Sequence, residues 1–331
     1  MEKRSALIVE IAGAFDTIKD LLDKVETQFH KELKPESNSL ADLIAHISKY
    51  KGKRLRPALV LLSGKCIGEL VPQHIDLAVV VEMVHTATLV HDDIIDEASI
   101  RRHVETVNSK WGREISILFG DYLFSRGFTI LSALDSQVAT LLLSQTVNIM
   151  SEGELIQLQR RYDMELSEND YFDIIERKTA SLCAASCRLG ATFAGANRKI
   201  SDMLYNYGLK IGIAFQIVDD CLDIMGTEEE IGKSLNSDIQ KGKLTLPLIR
   251  LVNQLPRNKL ETTKALIFQH SEKENKNSIL ELLTEHDAVE YAFNTAKNIV
   301  KQAQEEIAPL PDSKYKTALL ELADFIVTRR Q

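Results

Sequence analysis

Between Pro72 and Pro247 the sequence contains no proline. An interior proline removes a backbone hydrogen bond and clashes with the preceding turn, so its absence leaves that whole stretch free to be helical. Glycine falls mostly between apolar-periodic segments and does not occur after Gly242. The cysteines are Cys66, Cys183, Cys187 and Cys221, with no CxxC pair and apolar neighbours. That pattern excludes a disulfide framework and points to buried free thiols in a reducing compartment. Basic excess is lacking too: the formal charge is −8 and no Lys/Arg stripe dominates, so no nucleic-acid partner is expected. No apolar run reaches the roughly 18 to 20 residues of a membrane span. Even VVVEMVHTATLV carries Glu82 and His85. The opening MEKRSALIVEIAGAFD has neither a signal-length apolar core nor a small-residue cleavage site, so a soluble, cytoplasmic protein is expected.

What the sequence does contain is helical periodicity. With 331 residues, 44% of them apolar, the chain can bury a large core. Apolar residues recur at three- and four-residue spacing, as in Leu118, Tyr122, Leu123 and Phe128, or Leu204, Leu209, Ile213 and Ile217, and few segments alternate like strands. From Asn258 to Gln331 the pattern continues as amphipathic helices with Glu and Lys faces, broken near Pro309 and Pro311. No linker, repeat or composition shift marks a boundary. A single all-α domain spanning residues 1–331, with about ten or more helices, is expected.

Two stretches put carboxylates at the end of apolar runs: LVHDDIID, with Asp92, Asp93 and Asp96, and IVDDCLD, with Asp219, Asp220 and Asp223. On a helix Asp92 and Asp96 share a face while Asp93 lies about 100° round, and the second motif repeats that geometry. Like charges at this spacing repel. Among apolar neighbours they call for a cation, and Mg²⁺ suits them, because it keeps several waters and completes its shell with one or two carboxylates and phosphate oxygens. One such cluster is as readily a solvated helix terminus. Two, each after a buried-looking segment (HTATLV and IGIAFQIV), favour a cage for a metal-bound diphosphate.

Phosphate oxygens also need Arg and Lys. KGKRLRPAL sets Lys53, Arg54 and Arg56 around Gly52 just before Pro57, a loop entering a helix and so a favourable place for an anion. Arg101 and Arg102 follow the first motif, ERKTASL offers Lys178 and Thr179, and GKSLNSDIQKGKLTLP offers Lys233, Lys241 and Lys243 after the second. Each alone is more commonly a surface charge; their order around the acidic motifs supplies the weight. His85, two turns before Asp92 on the same face, reads equally as a core residue or a ligand. His85 and His91 are not spaced as a zinc pair and no thiol cluster accompanies them.

From about Lys51 to Pro247 the order GKRLRP, EMVHTATLVHDDIIDEASIRR, GEL with Gln157, KTASL, FQIVDDCLD, GK and DIQKGKLTLP resembles the all-trans polyprenyl diphosphate synthases, which elongate isoprenoid chains. The resemblance implies a large helical bundle of the isoprenoid synthase type around a central cavity, a homodimer, and about three Mg²⁺ ions bridging both motifs to an allylic diphosphate. It implies that Asp92 and Asp96 bind two metals and Asp219 the third, with Asp93, Asp220 and Asp223 in support. Arg101, Lys178 and Lys243 would hold the allylic diphosphate, and Lys53, Arg56, His85 and Arg102 the isopentenyl diphosphate, with Lys233 a further phosphate contact. Thr179 and Gln216 would present oxygens to the developing allylic cation. Many members read GGKRxRP and RRGxPT; here Lys51 precedes Gly52, and His103 and Glu105 replace Gly and Pro, so the loop after Arg102 is expected to close differently.

Family members stop chain growth with bulky residues four and five positions before the first Asp. Here these are Thr88 and Ala87, with Val84, Met83 and Val80 below them and no aromatic among them. A helical turn rises about 5.4 Å, close to one extended five-carbon unit, so open turns predict a product of about thirty to fifty carbons, with forty favoured. So apolar a product implies transient membrane contact at release. The alternatives are a farnesyl or geranylgeranyl diphosphate synthase, the catalytic subunit of a two-component synthase, a terpene cyclase, a non-catalytic partner subunit and a helical scaffold.

Overall fold

Among the described residues the proline-free stretch is mostly helical. The computed structural model describes residues 13, 15–35, 37–50, 52, 54–225, 237–268 and 273–328. Helices α1 (Lys19–Glu32), α2 (Asn38–Ile47), α3 (Leu55–Ile67) and α4 (Gln73–Ile95) lead to a short hairpin of β1 (Ile100–Arg101) and β2 (Val104–Glu105). Then come α5 (Val107–Trp111), α6 (Arg113–Ala133), α7 (Gln137–Gln159) and α8 (Glu168–Ile175), a π-helical turn at Glu176–Ala180, α9 (Ser181–Phe193) and α10 (Arg198–Met225). After α11 (Ser237–Gln240) follow α12 (Leu246–Gln254), α13 (Arg257–Phe268), α14 (Lys273–Glu285), α15 (Ala288–Ile307) and α16 (Lys314–Thr328). The break expected near Pro309 and Pro311 separates α15 from α16, and the buried Lys316 ammonium closes it by donating to the carbonyls of Ala308 at 2.9 Å and Leu310 at 2.7 Å.

Local signals explain several starts. Thr106 accepts from the Ser109 N–H at 3.0 Å, and Ser167 and Asp170 form a reciprocal capping box at the head of α8. Helix α4 is different. Leu77, Val79, Val80, Val81, Met83, Val84, Ala87 and Val90 are all buried, so it is apolar on nearly every side and lies inside the bundle. It packs on α3 and α6, while α10 packs on α9 and α15. Glycines let these backbones approach: a Cβ at Gly190 of α9 would collide with the Val60 carbonyl of α3, and one at Gly208 of α10 would come 2.6 Å from the Cys183 carbonyl. The four cysteines are buried and free, as their apolar neighbours predict.

The all-α expectation holds, with one addition. The hairpin pairs Ile100 with Glu105 and Arg101 with Val104 around Arg102 and His103, which stand at φ 51 and 64. Positive φ at both central residues is the geometry that matches strand twist in a two-residue turn. His103 thus occupies a left-handed position that glycine would take without strain. The hairpin is pinned from both sides: His46 and Tyr50 reach the Glu105 carbonyl at 2.7 and 3.2 Å, and the Thr106 hydroxyl donates to the Ala98 carbonyl at 2.7 Å. Among the described residues no helix is long and apolar enough to cross a membrane.

Gly190→Ala is expected to cost about 1–3 kcal/mol, because the backbone it meets cannot move aside as a side chain could. Urea unfolding should report a lower midpoint at unchanged slope; an unchanged midpoint would refute the close α3–α9 crossing.

Candidate active site

The first acidic motif closes α4, where the helix macrodipole is already negative and carboxylates are unwelcome without cations. Each finds a basic partner, Asp93 in the hairpin that follows and Asp92 and Asp96 in distant elements. Asp93 is 1% exposed and accepts from Arg101 Nε at 2.7 Å. Burial, opposed by Arg101, pushes its pKa up to about 6. Asp96 receives Lys243 Nζ at 3.0 Å on both oxygens and Arg161 Nη2 at 3.1 Å, with Lys241 Nζ 3.5 Å away. Burial raises its pKa, but Lys243 and Lys241 outweigh that and hold it below the usual carboxylate value. Lys178, on the π-helical turn, lies 3.8 Å from Asp92, donates to Gln157 at 3.0 Å and pairs with Glu154. Gly153 makes that approach possible, since a Cβ there would stand 2.7 Å from Arg177 and 2.8 Å from the Lys178 backbone nitrogen. Burial alone would lower the Lys178 pKa, but Asp92 and Glu154 raise it above the usual ammonium value, so it stays charged.

The second motif closes α10 and belongs to the same cleft. The Lys243 ammonium that meets Asp96 also lies 3.6 Å from Asp238, whose backbone N–H donates to Asp223 at 3.4 Å. Asp220 is buried and accepts from the Tyr171 hydroxyl at 2.6 Å and from Gln216 Nε2 at 2.7 Å. Burial and then Asp238 push its pKa up to about 8 against these two donors. With its nitrogen so engaged, Gln216 turns its carbonyl to the Thr179 hydroxyl at 2.9 Å. Asp219, one turn before Asp223 on α10, is partly buried.

A second basic cluster gathers around His85. Arg54 caps α3 in a left-handed conformation (φ 48), and its guanidinium pairs with Glu26 of α1 and the buried Glu82 of α4. Gly52 lies against Arg102, so closely that a Cβ would stand 2.5 Å from its Nη1. Arg56 Nε is buried with no hydrogen-bond partner among the described residues. Burial, then Arg56, Arg102, Arg101 and Arg54, hold the His85 pKa well below the ordinary imidazole value. Three arginines and a neutral imidazole around Glu82 and Glu26 leave a positive excess that suits an anion. Lys53 and Lys233 lie outside the described residues.

Of the four positions expected to limit product length, Ala87, Val84 and Met83 are buried and Thr88 donates to the His85 carbonyl at 2.7 Å. Met83 and Val80 lie against Gly127 of α6, whose Cβ would stand 3.5 Å from that of Met83.

The donor set fits a hard divalent cation in kind. Its side chains offer carboxylate oxygens, and Asp93 Oδ2 is a buried acceptor without a hydrogen-bond partner among the described residues. Among the described residues no three His, Cys, Asp or Glu side chains converge as a ready-made metal cage. Mg²⁺ does not need one, since it takes one or two carboxylates and fills its shell with water and phosphate.

Comparison with known proteins agrees with this chemistry. The Polyprenyl synthetase family model matches residues 37–283. The chain belongs to that family. It is 34% identical to heptaprenyl diphosphate synthase component 2 of Bacillus subtilis over 96% of this chain and 90% of that protein. Identity to octaprenyl diphosphate synthase of Haemophilus influenzae is 33%, over 96% and 97% of the two chains. A polyprenyl synthase from Caulobacter crescentus, solved with calcium and isoprenyl diphosphate, superposes with a TM-score of 0.93 at 32% identity, covering 97% of this chain and 98% of that one. As a polyprenyl synthetase the chain is a trans-prenyltransferase with the all-α isoprenoid synthase fold.

Four side chains in this polyprenyl synthetase make contacts that the sequence reading assigned to none of them: Glu82 and Glu154, which lie inside the motifs EMVHTATLV and GEL, and Arg161 and Tyr171. Glu82 had a signal, as the lone acid inside VVVEMV. Tyr171 had none, because its partner Asp220 is 49 residues away.

The depressed His85 pKa gives a signed prediction. Above about pH 6.5 neither folded nor unfolded chain carries the proton; below it the unfolded chain gains a proton that the fold refuses, so stability falls as pH drops. From about pH 6.5 to 5.5 the wild type should lose about 1 kcal/mol more than His85→Gln. Paired denaturation curves at the two pH values measure this, and parallel losses would contradict a neutral His85.

Proposed function

We propose that this enzyme condenses isopentenyl diphosphate with an allylic diphosphate, head to tail, to a long all-trans polyprenyl diphosphate of about thirty to fifty carbons, forty favoured. The observation that carries the reading is the presence of two cationic groups: Lys178, Lys241 and Lys243 at the carboxylate motifs, and Arg54, Arg56 and Arg102 around His85. Two such centres suit two diphosphates, whereas a terpene cyclase would need one.

Lys178, Lys243 and Arg101 would hold the allylic diphosphate, and Arg56, His85 and Arg102, with Lys53, the isopentenyl diphosphate. Mg²⁺ on Asp92, Asp96 and Asp219, with Asp93, Asp220 and Asp223 in support, would supply positive charge to the departing diphosphate. The bond from the allylic carbon to the diphosphate oxygen breaks, the isopentenyl double bond attacks that carbon, and the released diphosphate takes the proton lost from the adduct. Lys178 favours this ionisation as a fixed charge in a site with little water. Gln216, oriented by Asp220, and Thr179 turn oxygens toward the developing cation. Small Ala87 and Thr88, with Val84 and Met83 below, would leave room for chain growth.

The whole chain would act as one domain and pair as a homodimer. Helix α7 supports this: from Gln137 to Ser151 it carries no charged residue, yet it exposes Val138 (61%) and Leu141 (55%), and α6 exposes Leu118 (67%). Uncharged, apolar surface of this kind marks an interface. The Bacillus subtilis relative is named a component 2, which favours one further reading, a catalytic subunit that needs a second protein.

Purified protein with Mg²⁺, farnesyl diphosphate and labelled isopentenyl diphosphate should yield the long product unaided. No condensation without an added subunit would favour the two-component reading, and a dominant fifteen- or twenty-carbon product the shorter-chain one. Asp92→Ala should cut turnover by about 100- to 1,000-fold with the fold intact. Ala87→Tyr should shorten the product ladder, and an unchanged ladder would sink the chain-length assignment. Separately, Leu118→Glu with Leu141→Glu should convert a dimer to a monomer in sedimentation; an unaltered mass would place the interface elsewhere.

A further inference from the structure

The dipeptide Arg160–Arg161 ends α7, and its two guanidiniums do different work. Arg160 faces away from the cleft and anchors the turn, donating to Asp163 at 2.6 Å and Asp170 at 2.8 Å. Arg161 turns inward to Asp96 at 3.1 Å. Its direction is fixed by Tyr162, which stands at φ 64, donates its backbone N–H to the Gly242 carbonyl at 2.7 Å and lays its ring where a Gly242 Cβ would be. The ring is backed edge-on by Phe268 at 5.2 Å. Arg161 is therefore joined to the Lys241–Gly242–Lys243 loop.

Asp96 cannot account for so much positive charge. One carboxylate meets Lys243, Lys241 and Arg161, and Asp238 is a further negative charge for Lys243 and Lys241 but makes no contact with Arg161. Arg161 Nε is buried and has no acceptor among the described residues. A guanidinium with an unused donor, held beside the Lys241 and Lys243 ammonium groups, matches the paired oxygens of a phosphate.

We propose that Arg161 is a diphosphate-binding residue of this active site, gripping with Lys241 the anionic end of the allylic substrate. This rests on the reading that Asp96 and Lys243 serve a metal-bound diphosphate. With Asp96 engaged by a metal, Arg161 and Lys241 would be free to donate to phosphate oxygens instead of to that carboxylate. The rival role is that of a stand-in: Arg161 merely neutralises Asp96 until the metal arrives.

The two roles predict opposite signs. Calorimetric titration of the full chain with inorganic diphosphate in excess Mg²⁺ should show binding about tenfold weaker in Arg161→Gln, with Arg161→Lys between the two because it keeps the charge and loses the fork. Arg161 is partly exposed, 22% at the side chain, so both variants should fold, and equal melting temperatures without ligand check this. Unchanged or tighter binding in Arg161→Gln overturns the proposal in favour of the stand-in. Failure of the wild type itself to bind diphosphate overturns the diphosphate reading of the cleft, and this inference with it.

Discussion

Asp96 lies at the negative end of a helix, partly buried, one turn from another carboxylate, and is stabilised there by cations from distant segments, Lys243 from 147 residues away foremost among them. A buried carboxylate that loses its cation is costly, and this one has three cations around it. The pair ties the end of α4 to the segment after α10, and through Asp238 to Asp223, so one ammonium group brings both acidic motifs into a single cleft. The same compensation recurs at Asp93 with Arg101 and at Glu82 with Arg54. Diphosphate and metal binding would exchange these internal ion pairs for ligand ones, which keeps the site charged and preorganised at modest cost to the fold.

The surrounding bundle makes such pairing possible. Helix α4 is apolar on almost every side and fixed by α3 and α6, so its C-terminal turn is held firmly. Opposite it, the π-helical turn interrupts the run from α8 to α9 and turns Lys178 and Thr179 into the cleft. Such turns are rare and concentrate at functional sites. Gly153, Gly190 and Gly208 let backbones approach where any side chain would push them apart. Under the proposed function such close packing would be useful, because a reactive allylic cation would need charges that do not reorganise.

Helicity was legible because its causes are local: no proline from Pro72 to Pro247, apolar residues at helical spacing, and breaks near Pro309 and Pro311. The acidic motifs were legible because two copies of one spacing are improbable as solvated ends. The hairpin was hidden, being two residues per strand with Arg102 and His103 in left-handed conformations that neither residue type advertises. Arg161 was hidden because a positive charge in an amphipathic segment looks the same whether it meets water or a carboxylate.

The sequence by itself determined the helical class, the two carboxylate ladders, the basic segments and the family to which they belong. These follow from backbone periodicity and from residue chemistry at fixed spacing, both readable within a few turns. Only the tertiary structure decided which cation meets which carboxylate: Lys243, Lys241 and Arg161 on Asp96, Arg101 on Asp93, Lys178 between Asp92 and Glu154, and Tyr171 on Asp220. Coulomb attraction has no sequence register. It acts across a few ångströms of space, and the packing of the helices sets which distant residues come that close.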